Sequence, residues 1–361
     1  MVGLFLLVAS LSGLVLSFRP NFDPAYRSDY FHLTPLPTRV PVDELVQTAT
    51  RLHATAKVDY IQFDPDPASA DLVRFRDREE LFLDPYRGTE LKLRNKEYSF
   101  FYMAEKLHRY LFLGKPGQWF TGTAALALFV MIGTGIYLWW PRTAKSLRTA
   151  FRFDATLGAR AWNVNLHKVV GLYSAVLLAI AAFTGGAEFL NWVSRTYLAP
   201  ASSRETGRAL RSSGPVGGPG GASYDAIWAN AQKAIGPFQT AQLSWPQKAK
   251  GPMQVEYVAS DAPHPNALSY LFLDGFTGAV LRSSPYAQES AGSRFYLWLL
   301  PIHLGEIGGW AGRIAVTAGA AGAAFLSLTG FWLYYRRKLR PLRRPAPSLA
   351  ERPAPVASVR S

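Results

Sequence analysis

Four apolar stretches constrain this chain more than anything else in it. Residues 119–140, 169–187 and 314–335 carry no charged residue, and each is close to the roughly 20 residues a helix needs to cross about 30 Å of hydrocarbon. A fourth, "VGLFLLVASLSGLVLSF", begins at residue 2 and is slightly short. It lacks the basic n-region and small-residue cleavage site of a signal peptide, so it is read as a span. The expected segments are therefore spans at 1–18, 118–140, 167–190 and 313–335. Between them lie polar regions at 19–117 and 191–312, a basic loop at 141–166 and a basic tail at 336–361.

The charge fixes an orientation for these spans. Of the formal +14, a net +12 sits in two places: residues 141–168 and 336–361 together hold fourteen basic residues against Asp154 and Glu351. Basic residues next to spans mark the cytoplasmic side. Both termini are thus expected inside, with the two polar regions outside. The tail "RRKLRPLRRPAPSLAERPAPVASVRS" is expected to be disordered or to lie on anionic lipid. No basic stretch outside those flanks is interleaved with stacking aromatics, which argues against a nucleic-acid partner. The chain has no cysteine. Disulfides, iron–sulfur clusters, thiolate zinc sites and c-type haem are excluded, and any metal must rest on histidine or oxygen ligands.

The chain also repeats itself. "LFLDPYRGTEL" at 81–91 matches "LFLDGFTGAVL" at 271–281, "FYMAEKLH" ending at His108 matches "FYLWLLPIH" ending at His303, and "GTGIYLWWPR" ending at Arg142 matches "LTGFWLYYRR" ending at Arg337. Each half reads as span, outer domain, short histidine-bearing helix, span, and both halves cross in the same sense. Within each outer domain, "PVDELVQTATRLHA" and "SYDAIWANAQKAI" have helical spacing, while alternating runs such as "ELFLD" and "MQVEYVAS" read as antiparallel strands. "DPYRG" and "DGFTG" are turns, and residues 201–222 read as a flexible linker.

Of six histidines, three stand at span edges: His108 and His303 at matching outer positions, and His167 opening the third span on the inner side. An ionisable group there is a functional candidate. The plain alternative is an interfacial histidine satisfied by water or headgroups, against which the matched pair weighs. Two neutral imidazoles from facing helices can clamp a haem iron, so His108 and His303 are expected to hold one haem b at the outer face. Aligning "LSG" at 11–13 with "FTG" at 183–185 sets Met1 opposite Tyr173. The counterpart of His167 then falls six positions before Met1, and a second, inner haem would need that residue. Arg109 and Arg313 read as haem-propionate partners or as snorkelling arginines. Glu188 and Glu306 read as solvated span-end carboxylates or as groups handling protons or metal. His32, His53 and His264 read as surface residues. The glycines 133, 135, 319, 322 and 330 allow close helix approach, and Trp139, Trp140, Trp332, Tyr334 and Tyr335 form an interfacial belt.

The repeated "LH" before a span, the "TG-(I/F)-(Y/W)-L-(W/Y)-(W/Y)" endings, the "LHKVVGL" opening and the "LFLD" strands together resemble the PepSY-associated transmembrane helix family over residues 1 to about 340. The resemblance implies a membrane α-helical protein of four spans in two parallel repeats, each with an α+β PepSY-like outer domain, in contact with membrane lipid. Some members of that family are haem-containing reductases of ferric siderophores, and others are known only as iron-regulated membrane proteins. His108, His303 and His167 match family histidine positions. The implied activity is electron transfer from a quinol or a cytoplasmic reductase to a ferric siderophore or other iron complex outside, because no nicotinamide or flavin fingerprint is present. A non-enzymatic protein that binds or restrains an outer peptidase or envelope partner is the competing reading. A transporter is disfavoured by the lack of charge inside the spans. No catalytic residue is assigned; His108, His303 and His167 are candidates for haem-iron ligands.

Overall fold

The computed structural model describes residues 2–23, 31–141, 143, 151–189, 207 and 209–339. Met1, residues 142 and 144–150 of the basic loop, the linker residues 201–206 and the tail from 340 lie outside these residues, as does the side chain of Glu188. Four helices are long and apolar enough to cross a membrane: Val2–Phe22, Lys115–Trp139, Ala161–Ala187 and Gly309–Lys338. The protein is a multi-pass membrane protein with an α+β region.

In chain order the first half comprises α1 (Val2–Leu16), α2 (Arg19–Phe22), α3 (Val42–Leu52), β1 (Val58–Phe63), β2 (Asp71–Phe75), β3 (Glu79–Leu83), β4 (Glu90–Asn95), α4 (Phe100–Tyr110) and α5 (Lys115–Trp139). The second comprises α6 (Ala159–Phe189), α7 (Tyr224–Ile235), β5 (Phe238–Ser244), β6 (Met253–Ala259), β7 (Leu268–Leu273), β8 (Val280–Ser284), α8 (Ala291–Leu304) and α9 (Gly309–Tyr334). The third long helix begins at Ala159, so His167 lies inside it rather than at its opening. "ARAWNVNL" contains neither proline nor glycine, and nothing stops the helix from running on past the apolar segment.

The strands form one eight-stranded antiparallel sheet in the order β4-β3-β2-β1-β5-β6-β7-β8. The two four-stranded meanders join where Ile61 pairs with Leu243 and Phe63 with Ala241. Helices α3 and α7 bury apolar stripes, Val42, Leu45 and Ala49 with Ile227, Trp228 and Ala231, in a core shared with Ile61, Val73, Leu81, Leu243, Val255 and Leu271. The two helices also cap each other. Asp225 accepts from the Val42 amide (2.6 Å) and Asp43 from those of Tyr224 (3.1 Å) and Asp225 (3.0 Å), so each first turn gains an acceptor for its orphan N–H groups from the other helix.

The matched "LFLD" stretches become strands followed by turns of the same design. Asp84 accepts from the Tyr86 amide (2.8 Å) and Asp274 from the Phe276 amide (2.8 Å), and Gly88 and Gly278 follow at φ +63° and +74°, where a side chain would be strained. The stretch expected to be a flexible linker is held down where it is described: Ser213 donates its amide to Asp274 (2.7 Å) and Ala222 its amide to the Phe276 carbonyl (2.7 Å). The turn offers a carboxylate to the Ser213 amide and a backbone carbonyl to the Ala222 amide, so glycine content alone misjudges the segment.

In the first half, alternating charges tie α4 to the sheet. Arg74 bonds Glu80 (2.6 Å), Glu80 bonds Arg94 (2.7 Å) and Arg94 bonds Asp23 (2.8 Å); Arg19 then bridges Asp23 (3.2 Å) and Glu105 (2.7 Å), and Glu105 meets Arg109 (3.1 Å). Asp23 and Glu80 are each 1% exposed, a burial that carboxylates tolerate only when fully paired.

Candidate functional site

His108 and His303 arrive on two short helices that follow the outermost strands. Ser99 caps α4 by accepting from the Tyr102 amide (3.3 Å), and Ser290 caps α8 by accepting from the Ser293 amide (3.1 Å). Both histidines fall in the last turn of their helices. In α8, Pro301 cannot supply the N–H that would reach the Leu297 carbonyl. The Asn266 side chain donates to that oxygen instead (2.8 Å), keeping the helix satisfied two residues before His303.

The two rings face each other with centroids 6.3 Å apart and planes at 52°. Each rests on a span. His108 Nδ1 lies 2.8 Å from the Ala9 carbonyl oxygen and 3.2 Å from Ser12 Oγ on α1. His303 Nδ1 lies 2.8 Å from Thr184 Oγ1 on α6, where the Ala181 carbonyl is a second partner. Ala9–Ser12–Gly13 and Ala181–Thr184–Gly185 are thus the same three-residue device at matching positions. Burial lowers the basicity of both imidazoles; His303 is pushed down to about 4, with the neighbouring His108 adding to the effect. Both are neutral at physiological pH, the form in which an imidazole binds metal.

His167 lies elsewhere, on α6 against α9, with Nδ1 2.7 Å from Thr329 Oγ1. The expected counterpart before Met1 lies outside the described residues. Among the glycines expected to let helices approach, Gly319 and Gly322 do so: an added Cβ would come within 3.2 Å of Leu177 and 3.1 Å of Ser174. At Gly133 and Gly135 it would meet nothing within 4 Å. Arg109 pairs with Glu105, and Arg313 lies over the Trp310 ring at 5.9 Å. Glu306 is half-buried, and burial raises its carboxyl.

Two of the histidines expected on the surface are not plain surface residues. His264 is 3% exposed, packed on Trp298 (4.4 Å between centroids) and 3.2 Å from the Tyr286 hydroxyl. Its loop folds over α8, which a polar flanking sequence does not reveal. His53 ends α3 with its ring against Phe75 and its Nε2 2.6 Å from Asp77 and 3.5 Å from Glu79. These three donors lie close enough to hold a metal ion, but a histidine paired with the carboxylates of a turn accounts for them equally. His32 is exposed.

Ser12, Gly13, Thr184, Gly185 and Thr329 were not foreseen as site residues. The "LSG", "FTG" and "LTG" triplets that align the halves were the available signal.

No individual curated protein matches the chain at a significant level. The family model described as the PepSY-associated TM region matches residues 1–337, nearly its whole length. With four spans, an α+β region and this match together, the chain belongs to the PepSY-associated TM family.

Proposed function

We propose that the protein is an inner-membrane electron carrier that binds haem b between His108 and His303 and reduces a ferric siderophore or other ferric complex on the outer side. The observation that carries this reading is the 6.3 Å separation of the two rings. An imidazole nitrogen binds a first-row metal at about 2 Å, and the ring centre lies roughly 1 Å further out, so two axial imidazoles on one iron place their centres about 6 Å apart. Each Nδ1 is engaged by a span, which leaves Nε2 as the nitrogen available to a metal. The donor set is neutral and paired, which suits a haem b held by two histidines.

When bound, the haem supplies a one-electron Fe(III)/Fe(II) couple. The protein's own residues do the rest. His108 and His303 would hold the iron, the serine and threonine of α1 and α6 would orient the rings, and the apolar spans would exclude water around them. The donor of the electron would be a quinol or a cytoplasmic reductase, and its acceptor the ferric complex outside, whose iron would become ferrous. His167 would serve a second haem toward the inner face. In this reading the halves are duplicated units, each with a PepSY domain on the outer side, and both termini are cytoplasmic.

The test is spectroscopic. Protein purified in mild detergent from haem-replete cells is expected to show a Soret band that shifts on dithionite reduction, and His108→Ala or His303→Ala should lose most of the outer low-spin signal while His53→Ala keeps it. A colourless but fully folded preparation would overturn the proposal and favour a PepSY protein that binds an outer envelope partner.

A further inference from the structure

We infer that Ser12–Gly13, Thr184–Gly185 and Thr329–Gly330 are positioning residues: each is a hydroxyl–glycine seat that forces the facing histidine to present an unprotonated Nε2. The inference deepens the reading of these histidines as iron ligands and takes its functional meaning from it.

The argument follows the protons. A serine or threonine hydroxyl has one proton to donate. In all three seats an oxygen four residues back on the same helix is within reach of it: Ser12 Oγ lies 2.7 Å from the Val8 carbonyl, Thr184 Oγ1 2.8 Å from that of Ile180, and Thr329 Oγ1 2.9 Å from that of Phe325. With its proton given to the helix, the hydroxyl oxygen can only accept. The Nδ1 atoms 3.2, 2.8 and 2.7 Å away must then carry a hydrogen. For His108 the Ala9 carbonyl at 2.8 Å demands the same, since a carbonyl never donates. A neutral imidazole has one N–H, so Nε2 holds the free lone pair, and the orientation of the ring is set by the same contact.

The glycine makes room for the ring. A Cβ at Gly13 or Gly185 would stand 3.2 Å from Cε1 of His108 or His303, tighter than ordinary contact, and one at Gly330 would stand 3.9 Å from Cε1 of His167. A methyl group at either outer seat would therefore press on the ring and displace it by a few tenths of an ångström, whereas the inner seat tolerates one. A fourth dipeptide, Thr134–Gly135 on α5, has the same internal bonds, Thr134 Oγ1 to the carbonyls of Val130 (3.0 Å) and Met131 (3.1 Å). A Cβ on Gly135 would meet nothing within 4 Å, which makes it a control for helix effects alone.

The test reads tautomers by ¹H–¹⁵N correlation on the full chain, labelled with ¹⁵N-histidine, in detergent at about pH 8, where neutral imidazole prevails, with protein from haem-depleted cells. The wild type is expected to show His108, His303 and His167 as single Nδ1–H forms. Thr329→Val should give His167 an Nε2–H population, and Thr329→Ser should restore the single form. Gly185→Ala should shift the His303 signals, whereas Gly135→Ala should move none. An Nε2–H form at any of the three rings in the wild type would overturn the inference, as would an unchanged His167 in Thr329→Val. The measurement does not need haem, so a missing Soret band and a failed seat are separate results.

Discussion

The first half of the molecule builds its histidine helix on charge, and the second builds the matching helix without it. Aligning the repeated stretches sets Glu80 against Tyr270, Arg94 against Ser284, Glu105 against Leu300 and Arg109 against Leu304. The strand pairings agree, because Glu80 faces Arg94 across β3 and β4 as Tyr270 faces Ser284 across β7 and β8. Yet His108 and His303 rest on equivalent carbonyls, hydroxyls and glycines. The seats are the shared feature, and the means of supporting each helix has diverged.

The largest expected effect comes from breaking the buried chain of charges. Asp23→Leu leaves Arg19 and Arg94 facing a vanished partner, and removing one member of a buried pair costs on the order of 3 kcal/mol or more. Chemical denaturation in detergent should register it. Tyr270→Phe, at the matching position in the half that lacks this chain of charges, should cost less than about 1 kcal/mol. Equal losses from the two substitutions would erase the distinction between the halves.

The pH dependence of stability should also split along this line. Burial pushes the Asp71 carboxyl in the first half up to about 7, and Arg39 at 3.4 Å only partly offsets it. Its folded pKa lies above the unfolded value, so its contribution is complete below about pH 4 and is lost as pH rises through about 7. Asp71→Asn should flatten that decline. At the position matching Asp71 the second half has Met253, fully buried. A carboxyl of the second half that shifts the opposite way is Asp274, where burial raises the group but amides of Thr277, Ser213 and Phe276 outweigh it and hold it at about 2. This contribution is present above about pH 4 and fades as pH falls through 2. Asp274→Asn should blunt the acid limb alone, as seen in denaturation midpoints across pH.

The smallest effect concerns the turn after each histidine helix. α4 ends with Leu111 and Phe112 at φ +49° and +59°, whereas α8 ends with Gly305 at +69°. Only glycine adopts that conformation freely. Leu111→Gly should raise stability by about 1 kcal/mol or less, and Gly305→Ala should lower it. A loss from Leu111→Gly would mean that the leucine side chain contributes more than its backbone strain.

The spans and the two turns were legible because each rests on local chemistry: unbroken apolar length, and an aspartate that bonds amides two and three residues on. The pairing of His108 with His303 was legible because the repeat brings matching positions together. What was hidden is non-local. Strand alternation identifies the faces of β1 and β5 but not their pairing across some 180 residues of chain, so one continuous sheet could not be read from the sequence. The seats were hidden because a serine or threonine beside glycine within an apolar run reads as ordinary helix packing. Only the contact with a distant ring distinguishes Thr184 from Thr134.

The sheet order has a mechanical consequence. The helices bearing the two rings hang from the opposite rims, β4 and β8, which in a flat sheet of this size would stand roughly 33 Å apart. Their tips nevertheless converge to a few ångströms, like the arms of a caliper. Any bending along the central β1–β5 seam is then delivered, reduced or amplified by those arms, to the width of the gap between the two imidazoles.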